Sequence, residues 1–171
     1  WVLVCLKSTA IEALEELVTP LVGPSTRVQL LMNGLGAEEA AADLFGPARV
    51  HGGLVYGGFT KTGDVVRHEG VPAEIRGGSF VDDPAELEAA VNLWQDAKIT
   101  YTPQPCLLKA QWSKLAWNIP FNGLTVASGG VTVKDVWRDD NRHVAQDLMR
   151  EVCRAANANL KDRAKSDTID E

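Results

Sequence analysis

Long apolar runs are missing from this sequence. No run approaches the roughly 20 residues that a helix needs to cross a bilayer. The chain also does not open on a basic, then apolar, then small-residue signal. We therefore expect a soluble protein with no membrane partner. Hydrophobic residues still make up 45% of the 171 positions, which is enough for a packed core.

Cysteine is scarce, and charge of one sign is never gathered into long blocks. The three cysteines, Cys5, Cys106 and Cys153, are far apart and have no CxxC or HxxxH companions. This number and spacing predict neither a disulfide framework nor a metal site, and favour a reducing cytoplasm. The 23 acidic and 17 basic residues give a net charge of -6, so we expect no nucleic-acid partner.

The familiar phosphate-binding loops are also missing. The segment "NGLGAEEA" lacks the third glycine of GxGxxG, and Glu38 and Glu39 place negative charge where a helix N-terminus would receive a pyrophosphate. The glycines of "HGGLVYGGFTKTG" are not followed by Gly-Lys-Ser/Thr, so they indicate tight strands and a turn. A serine hydrolase has no Gly-x-Ser-x-Gly to support it. The histidines, which we expect to be structural or at the surface, are scattered: His51, His68 and His143.

Strands and helices alternate in the first hundred residues. Residues 1–6 predict a strand buried on both faces of a parallel sheet, and "RVQLLMN" predicts the next strand. The helix between them would be capped by Ser8 or Thr9 and stopped by Pro20. Its predicted apolar face consists of Ile11, Leu14, Leu17 and Val18. Strand, helix and strand in this order generate parallel α/β sheets.

The same pattern continues to the prolines of "TPQP". We predict a helix over "AEEAAADLF", two strands turning at Thr62 and Gly63, a strand at "PAEIRGG", a helix opened by Asp83 and Pro84, and a strand at "KITYTP". Beyond Cys106 the long segments "LLKAQWSKLAWNIPFNGLTVASG" and "VWRDDNRHVAQDLMREVCRAANANL" predict helices. The expected fold class is α/β followed by all-α, with domains at 1–104 and 105–171.

A polar stripe, Lys114, Asn118 and Asn122, interrupts the apolar sequence "KLAWNIPFNG". Steps of four residues rotate a helix by about 40°, so the stripe spans about 80° of arc. Its neighbours are apolar, so we expect a helix buried around most of its circumference. Buried lysine and asparagine need partners. The stripe therefore faces another polar element or lines a cavity, and Pro120, which would bend the helix, favours the cavity.

Two further candidates lie at predicted strand ends. Asn33 and Gly34 follow "VQLLM", and Lys7 follows the first strand. Ligands of open α/β sheets bind at the carboxyl ends of strands. The structural alternatives are a plain Asn-Gly turn and a solvated boundary lysine.

The segments "VLVCLKS", "LLMNGLG", "VVRHEG" and "WSKLAWNIPFNGLT", in this order, closely resemble the ketopantoate reductase (2-dehydropantoate 2-reductase) family. The resemblance implies a Rossmann-like domain that binds NADPH, followed by an all-α domain that closes over the substrate. It implies that ketopantoate is reduced to pantoate for pantothenate and coenzyme A biosynthesis.

The same resemblance assigns roles to individual residues. Lys114 would be the catalytic acid that donates to the substrate ketone, and Asn118 and Asn122 would orient it or bind substrate. Asn33 would lie near both the nicotinamide and the substrate, and Lys7 at the cofactor's edge. Asn122 departs from many family members because Gly123, not proline, follows it.

The chain also lacks parts that the family has, namely the first strand with GxGxxG and the late substrate-binding helices. We therefore expect a fragment, which matches the start at Trp1. Two alternatives stay open: a truncated non-catalytic relative that acts as a binding or assembly module, and a reductase of another 2-keto acid. A homodimer would cover the edge strand that a partial sheet exposes.

Overall fold

The computed structural model describes residues 1–138, 142–163 and 168–169. The chain divides into two compact units, residues 1–107 and 108–171, called here the first and second units. The first unit contains all strands of the described residues, and the described part of the second unit is helical. This order confirms the predicted α/β part followed by an all-α part. Across the described residues, no helix is both long and apolar enough to span a membrane.

Seven strands form two sheets in the described part of the first unit. The strands are β1 (Val2–Val4), β2 (Val28–Leu30), β3 (Val50–Tyr56), β4 (Phe59–Thr62), β5 (Val65–His68), β6 (Glu74–Ser79) and β7 (Thr100–Pro103). The five-stranded sheet has the order β1-β2-β3-β6-β7, and β4 pairs with β5 in a separate hairpin. The strands β1, β2 and β3 run parallel, whereas β6 is antiparallel to β3 and parallel to β7. The sheet is therefore mixed, and the carboxyl ends of β1, β2 and β3 lie at one edge.

Three α-helices belong to the first unit: α1 (Leu14–Val18), α2 (Ala37–Phe45) and α3 (Pro84–Trp94). The start of α3 agrees with its sequence, because the Asp83 carboxylate accepts hydrogen bonds from the backbone N–H groups of Ala85 and Glu86 at 2.7 and 3.3 Å. The core of the unit combines residues from α1 and α2, from β1 to β3 and from the segment that follows β2. It consists of Val4, Leu14, Val18, Val28, Leu30, Met32, Ala37, Ala41, Ala42 and Val50.

Two predictions for the first helix and strand are wrong. Leu3 of β1 is 44% exposed, because β1 is the edge of the described sheet and one of its faces is not covered. Ser8 and Thr9 cap no α-helix, since they lie inside a 3-10 helix, Ser8–Ala13, whose N-cap is Lys7. A non-helical backbone at Ala10 interrupts this turn, so the regular helix begins only at Leu14.

The second unit is built from α4 (Leu107–Ala127), which begins at the last residue of the first unit, α5 (Val133–Arg138) and α6 (Arg142–Asp162). The segment predicted to be helical from Val136 is helical at residues 136–138 and 142–160, and its residues 139–141 lie outside the described residues. The expectation that α4 is buried around most of its circumference is also wrong. Trp117 is 52% exposed and Ile119 is 45% exposed, because the described helices cover only part of its surface.

A polar cluster attaches α3 to the sheet. Arg27 donates two hydrogen bonds to the Glu86 carboxylate, at 2.6 and 3.0 Å, and the fully buried His51 ring contacts the same carboxylate at 3.2 Å. Near the other end of α3, the Trp94 indole N–H donates to Gln29 at 2.8 Å. The bonds from Arg27 lower the pKa of Glu86, and burial lowers the pKa of His51. Glu86 is therefore ionised beside a neutral His51 at neutral pH.

We expect Glu86→Gln to lower the free energy of unfolding by about 1–2 kcal/mol at neutral pH, since an amide binds Arg27 less strongly than a carboxylate does. The lowered pKa of Glu86 means that its contribution is present above its unfolded-state pKa and is lost as pH falls through its folded-state pKa. Urea unfolding at several pH values measures this loss. Glu88→Gln, on the exposed side of the same helix, is the control and should change little. Equal effects of the two substitutions would contradict the prediction.

Candidate functional site

A cavity of about 230 Å³ lies at the carboxyl ends of β1 and β2. Because these strands are parallel neighbours, the segments that leave them meet at the same edge of the sheet. The lining residues are Cys5, Leu6, Lys7, Ser8, Leu31, Met32 and Asn33. The structure therefore brings Lys7 and Asn33, two of the residues singled out in the sequence, to one cavity.

Lys7 is exposed and lies directly before the 3-10 helix. Its backbone is extended, and its carbonyl accepts a hydrogen bond from the Ala10 N–H at 2.8 Å. The backbone at Lys7 is therefore fixed while its side chain is accessible to solvent. A cation presented in this way can contact an anionic or strongly polar ligand in the cavity.

The Asn33 loop, residues 33–36, connects the end of β2 to α2. Gly34 and Gly36 have φ values of 100° and 97°, a left-handed conformation that residues with a Cβ rarely adopt. Gly36 is also the N-cap of α2 and offers no side chain to the helix. The loop turns sharply after Asn33, whose exposed side chain lies at the cavity.

The polar stripe lies on α4, in the second unit. Lys114 and Asn118 are half-buried, whereas Asn122 is exposed. The helix continues through Pro120, so the four-residue spacing keeps all three residues on one side. Burial lowers the pKa of Lys114. A lysine with a lowered pKa gives up a proton more readily than an ordinary lysine, which suits proton donation to a reacting carbonyl.

Packing on the neighbouring side of α4 holds the stripe in place. Phe121, between Asn118 and Asn122, is 1% exposed and belongs to a cluster formed by Phe121, Leu124, Val136, Ala145 and Met149. Nearer the start of α4, the Trp112 indole N–H donates to the Asn159 amide oxygen of α6 at 2.9 Å. These contacts fix the rotation of α4 relative to α5 and α6.

Several residues near the cavity were not selected from the sequence. Cys5 and Met32 line it, and Ser8, expected only as a helix cap, lines it as well. Each is within two residues of Lys7 or Asn33, so proximity to a strand end was the signal that could have identified them. Glu38 is a different case, because the sequence marked it only as a negative charge at the start of a helix, whereas the structure buries it to 3% exposure.

Comparison with known proteins relates both units to the same family. The family model described as "Ketopantoate reductase PanE/ApbA" matches residues 1–82, and the model of its C-terminal part matches residues 107–171. A 2-dehydropantoate 2-reductase from Nostoc sp. (strain PCC 7120) is 31% identical over an alignment of 157 residues, and the match covers 88% of this chain and 49% of that protein.

Solved structures agree with this match. The crystal structure of 2-dehydropantoate 2-reductase from Geobacter metallireducens GS-15 has a TM-score of 0.88 and 34% identity over 99% of this chain and 55% of its own. A dimeric ketopantoate reductase from Staphylococcus aureus has a TM-score of 0.76 and 27% identity over 92% of this chain and 56% of its own. The chain thus spans about half the length of these relatives. With both family models and these relatives in agreement, the chain belongs to the ketopantoate reductase family.

Proposed function

We propose that this protein reduces 2-dehydropantoate to pantoate with NADPH, a step of pantothenate and coenzyme A biosynthesis. The proposal concerns the longest natural form, meaning the longest form of the protein that its cell makes. The main support is Lys114, a half-buried lysine with a lowered pKa that begins the polar stripe of α4. The relatives of this chain are named 2-dehydropantoate 2-reductases.

Lys114 acts in this proposal as the general acid. Its ammonium donates a hydrogen bond to the ketone oxygen and stabilises the negative charge that develops there during reduction. The proton then moves from the Lys114 Nζ to this oxygen, giving the hydroxyl of the product. Asn118, one helical turn further on, orients the ammonium, and Asn122 binds the substrate hydroxyl or carboxylate.

In this proposal the cavity beside Lys7 and Asn33 receives one end of a nicotinamide cofactor. It lies at the carboxyl ends of parallel strands, where such ligands bind in open α/β sheets, and Lys7 and Asn33 place a cation and an amide at it. NADPH, when bound, supplies the hydride. In this proposal Lys7 binds at the cofactor's edge, and Asn33 orients both the nicotinamide and the substrate. The preference for NADPH over NADH is part of the proposal.

The assay that tests the proposal follows the oxidation of NADPH with ketopantoate and with smaller 2-keto acids, each as the sole keto acid of a separate reaction. Among these substrates, ketopantoate should be reduced fastest by the longest natural form. Lys7→Ala should raise the KM for NADPH by about tenfold, because a charge-assisted contact contributes roughly 1.5–3 kcal/mol. Lys61→Ala, at an exposed position of β4, is the control. Faster turnover of a smaller keto acid would favour the reductase of another 2-keto acid.

A binding or assembly module without catalytic activity is the second candidate. Its motive is that the sequence contains no GxGxxG loop for the pyrophosphate of a cofactor. Assaying the 171-residue chain beside the longest natural form separates the two candidates, since turnover by the chain itself would exclude the binding or assembly module.

A homodimer is proposed because a dimeric relative is known and β1 is the edge of the described sheet. A cytoplasmic location stays a prediction.

A further inference from the structure

Glu38 is a buried acidic residue to which the proposed reaction gives no role. Its exposed fraction is 3%, and within residues 1–138, 142–163 and 168–169 it is the only buried aspartate or glutamate. Burial of a carboxylate is unfavourable unless the fold compensates it. Part of this compensation comes from its position in the first turn of α2, where the helix dipole favours negative charge.

Gly52 of β3 provides the space for this carboxylate. A Cβ built on Gly52 would lie 2.8 Å from the Glu38 Oε1 and 2.7 Å from the Leu107 Cδ2, distances that non-bonded atoms do not reach without moving. The Glu38 side chain therefore lies directly against the backbone of β3. Because β2 and β3 are adjacent parallel strands, with Leu30 beside Gly52, this contact ties the start of α2 to the sheet.

The Asn33 loop consists of Asn33, Gly34, Leu35 and Gly36. Its two glycines have positive φ values, and its last residue, the N-cap Gly36, makes no side-chain hydrogen bond to α2. The loop thus contains few side chains that could hold its conformation. Its two ends are the buried strand β2 and the first turn of α2, where Glu38 is the buried polar residue.

We infer that Glu38, seated against Gly52, is a positioning residue that sets the direction of the Asn33 side chain at the cavity. The inference rests on the proposed function, in which Asn33 orients the nicotinamide and the substrate. A shift of the first turn of α2 would move the loop and displace the Asn33 amide. A displacement of about 1 Å in a reacting geometry can cost up to roughly a hundredfold in rate.

A double-mutant cycle in the longest natural form tests this role. Glu38→Ala should lower kcat/KM for ketopantoate by about tenfold. If Glu38 acts through Asn33, the same substitution in an Asn33→Ala background should cost less than twofold. The control Asp43→Ala removes an exposed carboxylate from the same helix and should leave kcat/KM within about twofold of the wild type. If Glu38→Ala does not fold, Glu38→Asp, which withdraws the carboxylate from Gly52, replaces it in the cycle.

The outcomes separate this inference from the proposed function. A wild-type protein that does not reduce ketopantoate would reject the proposed function. An active wild type in which Glu38→Ala has no effect would overturn the positioning role. So would equal losses with and without Asn33, because a structural effect of Glu38 on stability alone would be independent of the Asn33 side chain. Thermal unfolding of each variant identifies such a loss of stability.

Discussion

Lys114→Ala in the longest natural form is expected to lower kcat for ketopantoate reduction by about 10²–10⁴-fold, the usual contribution of a positioned general acid. The residue lies on the long helix α4, and burial lowers its pKa. Alanine removes both the proton donor and the positive charge that stabilises the developing oxyanion. Stopped-flow or steady-state measurement of NADPH oxidation gives the change. Because both lost interactions form mainly in the transition state, kcat should change more than KM.

The matched control is Lys109→Ala, which removes a lysine from the same helix five positions earlier. It should retain kcat within about threefold, since it lies outside the polar stripe. A Lys114→Ala protein that is folded and still reduces ketopantoate at the wild-type rate would eliminate Lys114 as the acid. Measuring the binding of NADPH to both variants separately shows whether a lower rate of reduction results from weaker cofactor binding.

The pH dependence provides a second measurement on the same residue. The proton donor is the ammonium form, so kcat/KM should be constant at pH values where Lys114 is protonated. It should fall as pH rises through the pKa of Lys114, which burial places below the ordinary lysine value. Lys114→Ala should lose this alkaline limb. A wild-type profile whose alkaline limb survives in the variant would assign that limb to another group.

Phe121→Ala is expected to lower the free energy of unfolding of the helical unit by about 3–5 kcal/mol, the usual cost of removing a buried aromatic side chain. Phe121 is 1% exposed, and its ring lies 4.2 Å from that of Trp117 and 5.9 Å from that of Trp137, centroid to centroid. Its loss would leave a cavity between α4, α5 and α6. Urea unfolding followed by tryptophan fluorescence measures the change, because both neighbouring tryptophans report on the site.

Val126→Ala is the control for this effect. Val126 lies on the same helix and is 77% exposed, so its truncation should change the free energy of unfolding by no more than about 0.5 kcal/mol. Similar losses in the two variants would mean that Phe121 is not the centre of the cluster. Phe121→Leu keeps most of the apolar volume and should fall between the wild type and Phe121→Ala.

The first unit shows how far local patterns determine secondary structure. The periodicity of apolar residues predicted β2, α2 and β7. Asp83 and Pro84 predicted the start of α3, where the Asp83 carboxylate accepts the capping hydrogen bonds. These features depend on neighbours in sequence. The antiparallel pairing of β6 with β3 was not predictable in the same way, because strand direction depends on where the chain returns after the β4–β5 hairpin.

The candidate site divides in the same manner. Sequence spacing alone put Lys114, Asn118 and Asn122 on one side of a helix, and strand ends alone selected Lys7 and Asn33. Their catalytic and binding roles come from the family resemblance and stay predictions. The exposure of Trp117 and the burial of Glu38 were not evident, because burial depends on which other elements cover a residue.

The sequence by itself determined the alternation of strands and helices, the change from α/β to all-α and the polar stripe of α4, because these follow from periodicity and from the geometry of single elements. It did not determine that the single strand predicted before Thr62 is divided into β3 and β4, which belong to different sheets. The tertiary structure alone decided that Lys7 and Asn33 share a cavity and that Gly52 leaves room for the Glu38 carboxylate. It also decided that His51 is buried against Glu86. These contacts join residues on different elements, and their distances are set by strand pairing and helix packing rather than by spacing along the chain.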